Sequence, residues 1–308
     1  MNSSSRTFSM WKISATIVLL LAISVPAGAD TQCRLIRIAS VDMAIENGGR
    51  PTVPMKVGDK TLTMLIDTGG VMTTITDSAA DSLGLHKQRI ADDMETHMVG
   101  DVRLDHFVVA PQIEFGGLKA QNFPFVVMPN EGADMDGTIG PDILAAYDAD
   151  FDFANAKFNL FSRDHCPGQV VYWTKDPYAD IDIVIQRGGH IKVPVTLDGH
   201  RLTALIDTGS WRSALSLETA KSVFSLKDED LKPLEHSNKG SRLHPFGTLS
   251  IQGITVNNPD IVLLPDAFAH LGDFDTPDML LGIGILRQLH LYISYRERKL
   301  YVTPASAH

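Results

Sequence analysis

The feature that most constrains this chain is a repeat of itself. Shifted by 140 residues, segment 41–69 aligns with 181–209 without a gap, and 13 of the 29 positions are identical. Unrelated segments of average composition would share roughly two. The identities run from Asp42 and Gly48-Gly49 to the closing Leu65-Ile66-Asp67-Thr68-Gly69, with partners ending in Leu205-Ile206-Asp207-Thr208-Gly209. Such a duplication calls for two copies of one structural unit, and a chain of 308 residues has room for both.

The repeated segment has the period of strands. "IDIVIQ", "IKVPVTL" and "HRLTALI" alternate with period two and are rich in β-branched residues. Gly58-Asp59 and Asp198-Gly199 interrupt them where a hairpin needs positive φ. Each copy is therefore predicted to open as a three-strand meander whose last, apolar strand runs into Asp-Thr-Gly. Short helices are predicted at 78–85 and 216–224. The copies converge again at Ile139-Gly140 and Leu281-Gly282, each followed by a brief helix and two strands. The expected fold class is all-β, in two homologous lobes. The expected layout is an N-terminal lobe over 30–165, a connector over 166–180 rich in proline and polar residues, and a C-terminal lobe over 181–308.

Residues 1–29 read as a signal peptide. Arg6 and Lys12 precede the apolar run "ISATIVLLLAISV", and Ala27-Gly28-Ala29 supplies small residues for cleavage. That implies an exported protein, periplasmic or secreted, with no membrane contact after cleavage; an uncleaved anchor is the alternative. Cys33 and Cys166 are the only cysteines, and in an oxidising compartment they are candidates for one disulfide, two free thiols being the other possibility. A formal charge of −10 argues against nucleic acid as a partner.

The chemistry-bearing residues sit at equivalent ends of the duplicated strand. Two carboxylates held a few ångströms apart cannot both ionise easily and share a proton over their acidic range. One can then take a proton from water while the other donates to an amide carbonyl. Leu65–Gly69 and Leu205–Gly209 resemble the apolar-Asp-Thr-Gly signature of aspartic peptidases. Thr138-Ile139-Gly140 and Leu280-Leu281-Gly282 resemble the second half of that signature. The resemblance covers roughly 41–303, and the chain is similar to two retropepsin-like units in tandem, as in bacterial exported aspartyl proteases. It implies an aspartic endopeptidase with the bilobal acid-protease fold, two homologous β-barrel-like lobes with an active-site cleft between them, and Asp67 and Asp207 as catalytic residues. Thr68 and Thr208 would lock the two loops, with Gly69, Gly209 and Ser210 as supporting residues. It implies a peptide or protein substrate, no cofactor and no metal, and a complete site without oligomerisation. The other reading is an inactive peptide-binding or inhibitory protein on the same fold.

Departures from the family pattern fall beside the site. Gly70 follows the first Asp-Thr-Gly where the second has Ser210, whose hydroxyl is expected to reach Asp207 and make it the more acidic partner. The flap segments, expected near 92–104 and 234–247, carry neither the tyrosine of pepsins nor the glycine-rich tip of viral enzymes. Asp148, Asp150 and Asp152 alternate along one strand and are expected to form a solvated face. The eleven histidines show no ligand-like spacing and are expected at the surface or satisfied in the core.

Overall fold

The structure is a computed structural model that describes residues 34–45, 49–91, 96–98, 102–130, 135–186, 188–234, 240–265 and 276–306. The segment read as a signal peptide lies outside the described residues, as does Cys33; Cys166 is disulfide-bonded. Among the described residues no helix is long and apolar enough to cross a membrane.

The duplication is visible as two β-lobes that belong to one compact unit. In the first, Thr52–Val57 and Lys60–Ile66 form the expected hairpin, in register from Thr52↔Leu65 to Val57↔Lys60. Lys60–Ile66 pairs in parallel with Gly137–Ile139, which pairs with Thr74–Thr76, and the long strands Leu118–Met128 and His106–Phe115 follow. His106–Phe115 returns to pair with Thr52–Val57, so the sheet closes on itself as a six-strand barrel. Its alternate positions Val53, Met55, Val57, Leu62 and Met64 point into the core, as the period-two pattern requires.

The second lobe repeats this order with Ile191–Leu197, His200–Ile206, Met279–Leu281, Ser213–Ser216 and Ile261–Leu264 in the equivalent places. Its counterpart of the long strand Leu118–Met128 is broken into Ile254–Asn257 and Ile261–Leu264. Asn258, at positive φ, and Pro259 interrupt the ladder there. The predicted helices form as Asp77–Ser82, capped by the Thr76 hydroxyl, and Leu217–Phe224, capped by Ser216.

The first strand of each expected meander does something the local pattern does not announce. Most of it leaves the hairpin and enters a third, six-stranded sheet shared by the lobes. Arg37–Asp42, Lys157–Phe161 and Asp148–Asp152 supply one half; Leu289–Ser294, Lys299–Pro304 and Ala179–Asp182 supply the other in mirrored order. The halves join antiparallel from Ala149↔Ile293 to Asp152↔His290. Asp150 faces Tyr292, its own equivalent in the second copy, so the local twofold axis passes through this pair.

The solvated face expected for Asp148, Asp150 and Asp152 is not what the structure shows. Asp148 and Asp150 are fully buried, and Asp152 is partly buried, because this strand is central in the shared sheet. Burial is tolerated because each of the two carboxylates is hydrogen-bonded to several donors. His165 Nε2 meets Asp148 Oδ2 at 2.6 Å, with Tyr295 N and Tyr292 Oη donating to the same carboxylate. His290 Nε2 meets Asp150 Oδ1 at 2.7 Å, while Asn159 Nδ2 and Tyr172 Oη donate to Oδ2 at 2.7 Å each. The 166–180 segment is thus no loose tether. Tyr172 reaches Asp150, and Trp173 stacks on His290 at 4.2 Å between ring centroids while its Nε1 donates to Thr303.

Candidate active site

Each lobe delivers its aspartate by the same construction. Lys60–Ile66 ends at Asp67, whose N–H donates to Ile139 O at 3.0 Å; His200–Ile206 ends at Asp207, whose N–H donates to Leu281 O at 3.0 Å. The chain must cross closely behind each loop. A Cβ on Gly140 would lie 2.5 Å from the Met72 carbonyl carbon, and one on Gly282 would lie 2.4 Å from Arg212 O. Only glycine permits that approach, which is why an apolar pair followed by glycine occurs in both copies.

The threonines behind the aspartates interlock across the lobes. Thr68 N donates to Thr208 Oγ1 and Thr208 N to Thr68 Oγ1, both at 3.1 Å. Each hydroxyl then donates onward to the opposite strand, Thr68 to Ile206 O at 2.8 Å and Thr208 to Ile66 O at 2.6 Å. Both threonines are fully buried, so these four bonds are shielded from competing water.

In front of this lock the two carboxyl groups hydrogen-bond each other. Gly69 N and Gly70 N donate to Asp67 Oδ1 at 3.0 and 2.9 Å; Gly209 N and Ser210 N donate to Asp207 Oδ1 at 2.8 and 3.1 Å. The glycines are sterically required. A Cβ on Gly69 would lie 2.3 Å from Asp207 Cγ, and one on Gly209 would lie 2.4 Å from Asp67 Oδ1.

Burial raises both carboxyls above the ordinary range. The four backbone donors oppose this, as does the Arg50 charge at Asp67. Asp207 is raised further, because it also feels the negative charge of Asp67. The two carboxyls share one proton, and the Arg50 charge beside Asp67 favours Asp67 as the ionised partner. The serine hydroxyl expected to make Asp207 the more acidic partner is turned away from it. Ser210 Oγ donates to Arg212 O at 3.0 Å and takes no part in holding Asp207; only the Ser210 backbone does.

A family model described as aspartyl protease matches the chain twice, at residues 53–143 and 193–285, together more than half of its length. The chain belongs to the aspartyl protease family. The two matches begin 140 residues apart, the offset of the repeat, so this aspartyl protease carries two family units in tandem. A comparison with curated proteins finds no match.

The segments expected to form flaps are described only in part. In the first lobe Thr96–Met98 and Val102–Leu104 pair as a small ribbon, with 92–95 and 99–101 outside the described residues. In the second, Lys232–Pro233 and Arg242–Leu243 pair on the edge of the lobe sheet, with 235–239 outside them. Among the described residues no group of three or more His, Cys, Asp or Glu side chains is placed to hold a metal ion.

Two residues beside the site escaped the sequence reading. Arg50 and His190 occupy the same position of the repeat and approach the opposite lobe's Asp-Thr-Gly loop. They differ in identity, so a search for repeated identities passes over them. The signal was present as a side-chain N–H donor kept in both copies.

Proposed function

We propose that this protein is an aspartic endopeptidase in which water, activated by Asp67 and Asp207, hydrolyses a peptide bond. The observation that carries the reading is the pair of mutually hydrogen-bonded carboxyls at the ends of the two copies of one strand. Asp67, ionised, takes a proton from the attacking water as its oxygen bonds to the scissile carbonyl carbon. Asp207 donates its proton to the carbonyl oxygen, giving a neutral gem-diol. Collapse of the diol breaks the C–N bond, the nitrogen gains a proton from Asp67, and Asp207 recovers one from the diol hydroxyl. The carboxyls end as they began.

The substrate is a peptide or protein bound extended along the cleft, its backbone pairing with exposed strand edges. Export with removal of residues 1–29 fits the Cys166 disulfide, and one chain holds both aspartates, so no second copy is needed. Cleavage of a peptide library at mildly acidic pH by the mature protein tests the reading. Wild type should cut, and neither Asp67→Asn nor Asp207→Asn should. Tight peptide binding without cleavage by wild type would favour a binding or inhibitory protein instead.

A further inference from the structure

The Asp-Thr-Gly loops carry an exposed weakness. The donor from residue 70 to Asp67 belongs to the Gly69–Gly70 peptide unit, which is flanked by glycine on both sides. Glycine restrains φ and ψ least of all residues, so nothing local stops this unit from swinging its N–H away from the carboxylate. The equivalent unit in the other lobe, Gly209–Ser210, has one glycine fewer and a serine side chain anchored to Arg212 O.

A peptide unit is planar, so gripping its carbonyl oxygen also fixes the direction of its N–H. That grip comes from the opposite lobe in both cases. His190 Nε2 donates to Gly69 O at 2.9 Å, and Arg50 Nη1 donates to Gly209 O at 3.4 Å while its guanidinium lies 5.1 Å from the Trp211 ring centroid. The shorter bond, from a side chain that is almost wholly buried, falls on the unit with the greater freedom.

We propose that His190 is a positioning residue for the catalytic loop across the lobe interface. It clamps the Gly69–Gly70 peptide unit so that Asp67 keeps its backbone donors and its orientation towards Asp207. The brace reaches its target only when the two lobes are docked, so it ties the aim of Asp67 to lobe closure. For its kinetic arm the proposal rests on the endopeptidase reading above.

The test compares His190→Ala with His190→Gln, whose amide N–H has similar reach. Alanine should lower kcat about tenfold with KM nearly unchanged, since one buried donor and the aim of one carboxylate are lost. Weakening a hydrogen bond to the ionised form raises a carboxyl's pKa. The acidic limb of kcat/KM should therefore move upward by somewhat less than one pH unit. Glutamine should restore both. The Asp67 carboxyl, followed by carbon-13 NMR titration, should show the same shift without any turnover. Should alanine fail to fold, His190→Asn, whose donor stops short of Gly69, takes its place.

An unmoved Asp67 titration in the alanine or asparagine variant overturns the proposal, as does a glutamine variant as impaired as alanine. A moved Asp67 titration in a protein whose wild type cleaves no peptide would support the brace and sink the endopeptidase reading.

Discussion

Replacing Thr68 by valine keeps the shape of the side chain and removes its hydroxyl. The structure assigns that hydroxyl two bonds across the lobe interface, one donated to Ile206 O at 2.8 Å and one accepted from Thr208 N at 3.1 Å. Each is worth about 1 kcal/mol net, and stranding the buried Thr208 N–H adds a desolvation cost of the same order. The expected loss is about 2–4 kcal/mol, a large fraction of the roughly 5–15 kcal/mol that holds a domain folded. Urea denaturation should show it as a lower midpoint with an unchanged slope, because the surface exposed on unfolding is the same. Thr68→Ser keeps both bonds and loses one methyl, so it should cost only about 1 kcal/mol. A valine variant within about 0.5 kcal/mol of wild type would show that the hydroxyl contributes nothing to the lock, as would a serine variant equally damaged.

Gly69→Ala should cut kcat by at least about a hundredfold while the protein still folds, since the new Cβ meets Asp207 Cγ at 2.3 Å and displaces the reacting pair; steady-state kinetics beside a thermal melt decides it. His290→Ala should destabilise by about 3 kcal/mol, because it strips the buried Asp150 carboxyl of a 2.7 Å hydrogen-bond partner inside the shared sheet, and denaturant melts at neutral pH measure this. Tyr295→Phe should be neutral or stabilising by about 1 kcal/mol, as the buried Tyr295 hydroxyl has no partner among the described residues; a loss above about 1 kcal/mol in the same melts would reveal a bond that the structure does not show.

The lobes and their Asp-Thr-Gly ends could be read from the chain because a duplication prints the same constraints twice. Gly69 and Gly209 recur since no Cβ fits against the opposing carboxyl, and Gly140 and Gly282 recur since the chain crosses behind the loop. Asp148 and Asp150 were misjudged because alternation identifies a face without saying what covers it. Their partners His165, Tyr172 and His290 lie on other elements, His290 from the opposite copy. Closure of the first barrel through His106–Phe115 against Thr52–Val57 is a long-range pairing that no local pattern encodes. Ser210 shows a different limit. Its hydroxyl donates to the backbone oxygen of Arg212, a choice of acceptor that sequence pattern does not encode.

Asp67 and Asp207 are held to share a single proton, and the pH dependence of kcat/KM for one cleaved peptide is the sharpest test of that sharing. Below the lower apparent pKa both carboxyls are protonated and no base remains; above the upper one both are ionised and no acid remains. Burial raises both aspartates and the charge of Asp67 raises Asp207 further, so the limbs should be well separated and the upper one displaced above the ordinary carboxylate range. The expected profile is a bell with one titrating group on each side. A profile with a single limb, or one that stays flat through the range where carboxyls titrate, would contradict it.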